Sequence, residues 1–181
     1  GTDNTSTIAA TTLSGIGNAT TGAVTVSNAI KVEGTASQLT EALVSGSKIV
    51  SAGTALVTVT DTAFHGTDNT STIAATTLSG IGNATTGAVT VSEAIKVEGS
   101  VTQLTEALVS GTKTVSAATS LVTVTDTAFH ATDNTSTIAA TALSGIGNAT
   151  TGAVTVSNAI KVEGTTTQLT DALVSGSKIV S

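Results

Sequence analysis

The chain repeats itself at a fixed interval. Residues 1–65 return almost unchanged as residues 66–130, and residues 131–181 form a third copy that is incomplete at its end. Such self-similarity is typical of an array in which each unit packs mainly on its neighbours. We therefore expect a single repeat array over residues 1–181, a piece of a longer array, rather than separate globular domains.

A second, shorter period lies inside the first. The tripeptide Val-Thr-Val recurs at a nearly constant interval, about half of the longer period, with copies that begin at Val24, Val57, Val89, Val122 and Val154. This spacing predicts a coil of about 32 residues, so that each long repeat holds two unlike coils. The valines would then stack as equivalent rows on one face of the strands. The outward row beside them would contain Thr25, Thr58, Thr90, Thr123 and Thr155.

One coil of each pair carries a strong helix signal. Thr35 and Gln38 have the spacing of a capping box, in which the hydroxyl accepts from the third backbone amide and the glutamine side chain reaches back. The same box recurs at Ser100–Gln103 and Thr165–Gln168. The apolar residues that follow the first box lie on one helical face: Leu39, Ala42 and Leu43.

The other coil allows two interpretations. Asp68 or Asn69 could cap a helix that bears Ile73 and Leu78. The segment is rich in threonine, however, which loses side-chain freedom in a helix. An irregular segment or a third β segment is therefore the alternative for this stretch.

Alternation of apolar and polar residues predicts short strands beside the helices. Val32 lies between Lys31 and Glu33, so that the valine would face the core and the two charges would face outward. We expect an α/β solenoid of stacked coils, with parallel β faces and short helices on one side. The alternative is an all-β solenoid without helices.

Composition excludes several classes of function. The net charge is −6 without a single arginine, so that no basic footprint for nucleic acid is present. No run of 18 apolar residues occurs, and we expect no membrane insertion. There is no cysteine, and therefore no disulfide or thiolate metal site.

Few residues have the character of catalytic or metal-binding groups. The only histidines, His65 and His130, are equivalent copies, whereas a metal site normally needs three or four converging ligands. Asp61 and Asp68 are a weak alternative as Ca²⁺ ligands, because calcium requires denser carboxylate oxygens than these. We predict no catalytic residue, no metal site and no cofactor. The chain is not expected to be an enzyme, since the long loops that carry an active site in β-helix enzymes do not interrupt its repeat.

Alignment of the two coils suggests a charge ladder instead. When Gly34 is set against Gly66, Glu33 falls opposite His65. Up the stack, carboxylate and imidazole would alternate on one outward face. The predicted members are Glu33, His65, Glu98, His130 and Glu163.

The phrases ATTGAVTVSNAIKVEGTASQLTEAL and TALVTVTDTAF resemble tandem repeats of very long secreted or cell-surface proteins of bacteria, notably marine cyanobacteria. The resemblance covers nearly the whole chain. It implies an extracellular or cell-surface location, a structural or adhesive role, and no enzymatic activity.

These observations together predict a structural repeat segment of an extracellular fibre or filament. Uncapped strand edges invite pairing with other chains, so that the expected partner is the protein itself, end to end or side by side. The alternative is an adhesin stalk, or a module whose exposed Thr/Ser face binds a glycan or a surface.

Overall fold

The structure is a mixed α/β protein with six short helices and thirteen short strands in the part of the chain described. This computed structural model describes residues 6–28, 30–45, 50–66, 71–110, 115–132 and 136–174. The α/β class expected from the capping boxes is confirmed, and the all-β alternative is wrong.

The elements follow the long period of the sequence. The helices are α1 (Ala10–Asn18), α2 (Ala36–Leu43), α3 (Ala75–Asn83), α4 (Val101–Leu108), α5 (Ala140–Asn148) and α6 (Thr166–Leu173). The strands are β1 (Thr7–Ala9), β2 (Val24–Thr25), β3 (Lys31–Gly34), β4 (Val50–Ser51), β5 (Leu56–Val59), β6 (Thr72–Ala74), β7 (Val89–Val91), β8 (Lys96–Gly99), β9 (Val115–Ser116), β10 (Leu121–Val124), β11 (Thr137–Ala139), β12 (Val154–Val156) and β13 (Lys161–Glu163). Within the described ranges, each of the first two repeats supplies two helices and five strands.

Local chemistry sets the start of α2, α4 and α6. Thr35 Oγ1 accepts a hydrogen bond from Gln38 N at 3.3 Å, while Gln38 Oε1 accepts one from Thr35 N at 3.0 Å. Ser100 and Thr165 form the same reciprocal box. The predicted capping boxes are therefore confirmed, and the leucine that follows each box begins the face that packs inward.

The other coil contains a strand and a helix in succession. In the second repeat, β6 ends at Ala74 and α3 begins at the next residue, with no side-chain cap on its N-terminus. Ile73 therefore lies in a strand and Leu78 in a helix, and a helix that bears both is a wrong prediction. The physical reason is that Thr72–Ala74 pairs with β8. The predicted caps Asp68 and Asn69 lie outside the described residues.

All the strand pairs in the described part of the chain are parallel, and two of the sheets cross a boundary between repeats. The strand orders are β1-β3-β5-β7-β9, β12-β10-β8-β6, β11-β13 and β2-β4. In the first order, β5 pairs with β3 of its own repeat and with β7 of the next repeat. In the second order, β10 does the same between β8 and β12. We call β5 and β10 the joining strands, because each lies between strands of two repeats.

The register agrees with the predicted valine rows only at the joining strands. Val57 pairs with Val89, as expected from the spacing of the Val-Thr-Val copies, and the pair one repeat further on does the same. Val24 instead pairs with Val50, and the other partner of Val57 is Val32. Within a repeat, strand partners therefore lie closer in sequence than successive Val-Thr-Val copies do. The prediction that each Val-Thr-Val copy stacks on the next one is therefore wrong within a repeat.

The difference between helix spacing and strand spacing explains why each repeat contains a joining strand in addition to its strand-and-helix layers. Packed helices lie about 8–10 Å apart, whereas neighbouring strands lie about 4.7–4.9 Å apart. Layers with one strand and one helix each would therefore splay apart on the helical side. The joining strand β5 is followed by another strand rather than by a helix. It adds a strand to the sheet without adding a helix to the helical layer.

The core runs through the boundaries between repeats without interruption. Each helix from α1 to α6 packs on the next one in the chain. Leu39, Leu78 and Leu104 are fully buried under the helices, as are Val32 and Val97 in the strands. Consecutive repeats therefore share one hydrophobic core.

Candidate functional site

The predicted ladder does not occur in the strand register. Glu33 has Ala9 on one side and Thr58 on the other, so that no place remains beside it for His65. Glu98 has the same type of neighbours in the second repeat, and Glu163 pairs with an alanine. His65 and His130 are exposed and lie outside the strands. The reason is that the joining strand occupies the edge of β3, where the ladder required His65.

Each of these glutamates instead pairs with a lysine of its own strand. Lys31 Nζ lies 3.0 Å from Glu33, and Lys96 Nζ lies 3.2 Å from Glu98; Lys161 and Glu163 form the third pair. The outward orientation predicted for the charges of β3 agrees with this geometry.

An aromatic ring from the preceding repeat covers two of the lysines. Lys96 Nζ is 5.8 Å from the centroid of the Phe64 ring, and Lys161 stands in the same relation to Phe129. The separation suits a cation–π contact. The only two aromatic residues of the chain therefore lie at the junctions between repeats.

Asp61 binds the N-terminus of a helix in its own repeat. Its Oδ2 accepts a hydrogen bond from Ala36 N, the first residue of α2, at 2.7 Å, and Asp126 makes the equivalent bond to α4. A carboxylate at a helix N-terminus is stabilised by the helix dipole. Within the described ranges, no three His, Cys, Asp or Glu side chains come close enough to hold a metal ion. Asp68, the other suggested Ca²⁺ ligand, lies outside those ranges.

The joining strand β5 is hydrogen-bonded along both edges. Towards its own repeat, Leu56 N donates to Ile30 O and Thr60 N donates to Gly34 O. Towards the next repeat, Val57 N donates to Ala88 O, and Val59 O accepts from Ser92 N. The four N···O distances lie between 2.8 and 3.0 Å. The joining strand therefore lies between β3 of its own repeat and β7 of the next repeat, and is hydrogen-bonded to both.

A threonine beside the joining strand closes the junction. Thr85 is 3% exposed, and its hydroxyl donates to Ala55 O at 2.6 Å and accepts from Gly87 N at 2.9 Å. Thr86 N donates to Gly53 O at 3.0 Å. Gly87 lies so close that an added Cβ would be 2.2 Å from Ala55 O. The turn after α3 therefore docks on the loop that precedes β5, and only glycine fits at this point.

The second junction repeats the geometry of the first. Thr150 donates to Ser120 O at 2.6 Å, and a Cβ on Gly152 would lie 2.3 Å from the same oxygen. The docked loop differs at two positions. Ala118 takes the place of Gly53 in a left-handed conformation (φ 48°). Ser120 takes the place of Ala55, and its hydroxyl is fully buried without a hydrogen-bond partner in the described part of the chain. The contact therefore tolerates sequence changes on the loop side.

A cleft of about 490 Å³ opens at the first junction, between α2 and the β6–α3 segment. Thr40, Glu41, Asp61 and Thr72 lie on its walls. The hydroxyls of Thr40 and Thr72 are buried and have no hydrogen-bond partner among the residues that the structure describes. Among the described residues, two carboxylates lie on these walls, which is fewer than a typical cation site requires.

Sequence reasoning missed the junction residues Thr85 and Gly87, and it missed the bond between Asp61 and the N-terminus of α2. The Thr-Thr-Gly run after the helix indicates a turn in which a hydroxyl binds nearby backbone, and the Gly87 N to Thr85 Oγ1 bond is of this type. Nothing in the local spacing indicates that this turn docks on the preceding repeat, because the partner loop lies 30 residues earlier.

Comparison of the chain with protein-family models, with curated proteins and with solved structures found no match in any of the three. None of the helices described is long and apolar enough to cross a membrane.

Proposed function

We propose that the chain is a structural repeat segment of an extracellular or cell-surface fibre, in which copies of the long repeat extend an α/β solenoid. The protein has no catalytic role in this proposal. Its partners are further copies of the same repeat, and its location is outside the cell, as the resemblance to bacterial surface repeats implies.

One observation carries the proposal: the junction between repeats is built twice from the same contacts. Thr85 and Thr150 each bind a carbonyl of the preceding repeat at 2.6 Å. A joining strand crosses each boundary in the same register. Because one geometry serves both boundaries, further copies can be added without new contacts, and length grows with copy number.

The joining strand also suits the chain to bearing load. To separate two repeats, the hydrogen bonds along one edge of β5 must be broken together with the bonds of Thr85 and Thr86. Asp61 and Phe64 hold the segment after β5 to α2 and to Lys96. Force along the array is therefore shared by several bonds at each boundary.

The length of the molecule in solution tests this proposal. We expect proteins of two, three and four repeats to scatter X-rays as rods that lengthen by a constant step. The step should be roughly 20 Å, because each repeat adds two helices that pack about 8–10 Å apart. A maximum dimension that fails to grow in proportion to copy number would contradict the proposal.

A specific surface feature supports the adhesin alternative. On the outward side of the first sheet, Leu56 is 48% exposed beside Lys31 and Thr58. These residues line a shallow pocket of about 260 Å³. Apolar and hydroxyl groups beside a charge can contact a sugar ring, and a glycan array probed with the chain and with its Leu56→Ser variant tests this directly. Binding that Leu56→Ser abolishes would favour the adhesin role, and absence of any bound glycan would exclude it for the glycans tested.

A further inference from the structure

The two junctions between repeats share one geometry but differ in the loop that docks on the next repeat. Residues 53–55 at the first junction read Gly-Thr-Ala, whereas residues 118–120 at the second junction read Ala-Thr-Ser. The surfaces that receive these loops, residues 84–92 and 149–157, are identical in sequence. A difference in strength at this contact therefore comes from the loop.

The first difference between the loops concerns a left-handed backbone conformation. Gly53 adopts it with φ 52°, and Ala118 adopts it with φ 48°. Each carbonyl accepts a hydrogen bond from the next repeat, Gly53 O from Thr86 N and Ala118 O from Thr151 N. Glycine adopts a positive φ without strain, whereas the Cβ of alanine makes the same conformation costly. Undocking of the loop frees Ala118 to leave this conformation, so that opening releases strain at the second junction but not at the first.

The second difference between the loops is a buried hydroxyl. Ala55 and Ser120 are both fully buried at their junctions, and the carbonyl of Ser120 accepts from the Thr150 hydroxyl at 2.6 Å. The Ser120 hydroxyl itself has no partner among the described residues. A polar group buried in this way loses its bonds to water without replacement. The hydroxyl regains those bonds when the second junction opens, whereas the methyl group of Ala55 gains nothing of the kind.

One contact favours the second junction instead. Asn158 Nδ2 donates to Asp126 O at 2.8 Å, across the boundary between the second and third repeats. The first junction has Glu93 at the position of Asn158, and an ionised carboxylate cannot donate such a bond. The bond of Asn158 is exposed, so that water competes for both of its groups and its net contribution is small. It therefore offsets only part of the two effects in the loop.

We infer that the second junction is a built-in release point, at which the array opens before it opens at the first junction. In the open state, residues 118–120 and one edge of β10 leave the third repeat, while β10 stays paired with β8 of its own repeat. The two loop effects together should make this opening roughly tenfold or more as frequent as opening at the first junction. Under load, extension of the array then starts at this junction. The order of opening does not depend on the proposed structural role, and only its use under load rests on that role.

Amide hydrogen exchange of Val57 and Val122, followed by NMR, measures the opening of each junction separately. Val57 N donates to Ala88 O and Val122 N donates to Ala153 O, both at 2.9 Å and both across a boundary between repeats. A leucine precedes each valine and a threonine follows it, so that the unprotected amides exchange at equal rates. Because local opening exposes such amides, we expect Val122 to exchange about tenfold faster or more. Exchange of Val122 that is no faster than that of Val57 would overturn the inference.

A chain with its two loops exchanged separates the effect of the loop from that of position along the chain. This variant combines Gly53→Ala and Ala55→Ser at the first junction with Ala118→Gly and Ser120→Ala at the second. We expect the faster amide exchange to move to the valine of the first junction. If the second junction still exchanges faster in this variant, the loop does not set the order of opening and the inference is wrong. The rod-length series measures overall dimension rather than local opening, and therefore tests the structural role independently.

Discussion

Substitution of Gly87 by alanine tests the junction where it is tightest. The added Cβ would lie 2.2 Å from Ala55 O and 2.7 Å from Thr54 O, whereas ordinary van der Waals contact begins near 3.4 Å. Both atoms are backbone carbonyl oxygens, so that no flexible side chain can move aside. The loop must therefore retreat, and the hydrogen bonds from the Thr85 hydroxyl and Thr86 N are lost.

The expected cost follows from these two effects. Overpacking of a close contact costs about 1–3 kcal/mol, and two hydrogen bonds contribute about 1 kcal/mol each. We therefore expect Gly87→Ala to destabilise the chain by about 3–5 kcal/mol. Gly22→Ala, at the equivalent position of the first repeat, should stay within about 0.5 kcal/mol of the parent, because among the described residues its Cβ meets only Thr20 Oγ1, at 3.6 Å.

Urea unfolding followed by circular dichroism measures the difference, since the chain has no tryptophan or tyrosine for fluorescence. With a slope of about 2 kcal/mol per M, Gly87→Ala should lower the midpoint by roughly 1.5–2.5 M. It should also split the transition, because the first repeat then unfolds separately from the rest. Equal midpoints for the Gly87→Ala and Gly22→Ala chains would refute the docking geometry.

Three further substitutions concern the loop that docks at the second junction and the bond from Asp61 to the N-terminus of α2. The urea midpoint is the measurement for all three. Ser120→Ala should stabilise the chain by about 1 kcal/mol, because it removes a buried hydroxyl that has no partner among the described residues. Ala55→Ser, which adds a hydroxyl at the equivalent position, is the reverse control. A lower urea midpoint for Ser120→Ala would contradict the view that this hydroxyl is unsatisfied. Ala118→Gly should raise the free energy of unfolding by about 1 kcal/mol, because it replaces an alanine held in a left-handed conformation (φ 48°). Gly53→Ala should lower the free energy of unfolding by a similar amount. An unchanged urea midpoint in both variants would contradict backbone strain at this position. Asp61→Ala should cost about 1–2 kcal/mol by removing the carboxylate from the N-terminus of α2, and Asp61→Asn should restore part of it; an unchanged midpoint for Asp61→Ala would show that the bond contributes nothing.

The parts of the fold set by local chemistry could be predicted from the sequence. The capping box of Thr35 and Gln38 joins residues one helical turn apart, and the helix begins where the box requires. The inward valine and outward charges of β3 follow from alternation alone. The pairing of Val57 with Val89 was also predictable, because both lie in the same recurring tripeptide.

The parts set by long-range contacts could not be predicted in this way. The helix α3 has no side-chain cap and contains two glycines, so that its propensity is weak. It forms because Leu78 and Ile81 are buried against the rest of the core, and tertiary packing overrides propensity in such cases. The prediction that Asp68 or Asn69 caps this helix is therefore wrong, because α3 begins at Ala75.

Strand register was the other source of error. Ile8, Val32 and Val57 are each the apolar centre of a short strand, so that period-2 alternation fits several pairings equally well. The correct choice depends on the helix spacing and on the docking of Thr85, neither of which is visible in a local pattern. The predicted ladder of Glu33 and His65 is wrong for the same reason, because it depended on one of these equally compatible strand pairings.

Cysteine cross-linking tests most directly whether β5 lies between two repeats. The chain has no cysteine of its own, and a disulfide requires Cα atoms about 4.4–6.8 Å apart, which neighbouring strands provide at about 4.7–4.9 Å. We predict that Glu33→Cys/Thr58→Cys and Thr58→Cys/Thr90→Cys each form an intramolecular disulfide under mild oxidation, while Glu33→Cys/His65→Cys does not. Ready cross-linking of the Glu33–His65 pair, with none at Thr58, would contradict the position of β5 between β3 and β7. It would support the predicted ladder of Glu33 and His65 instead.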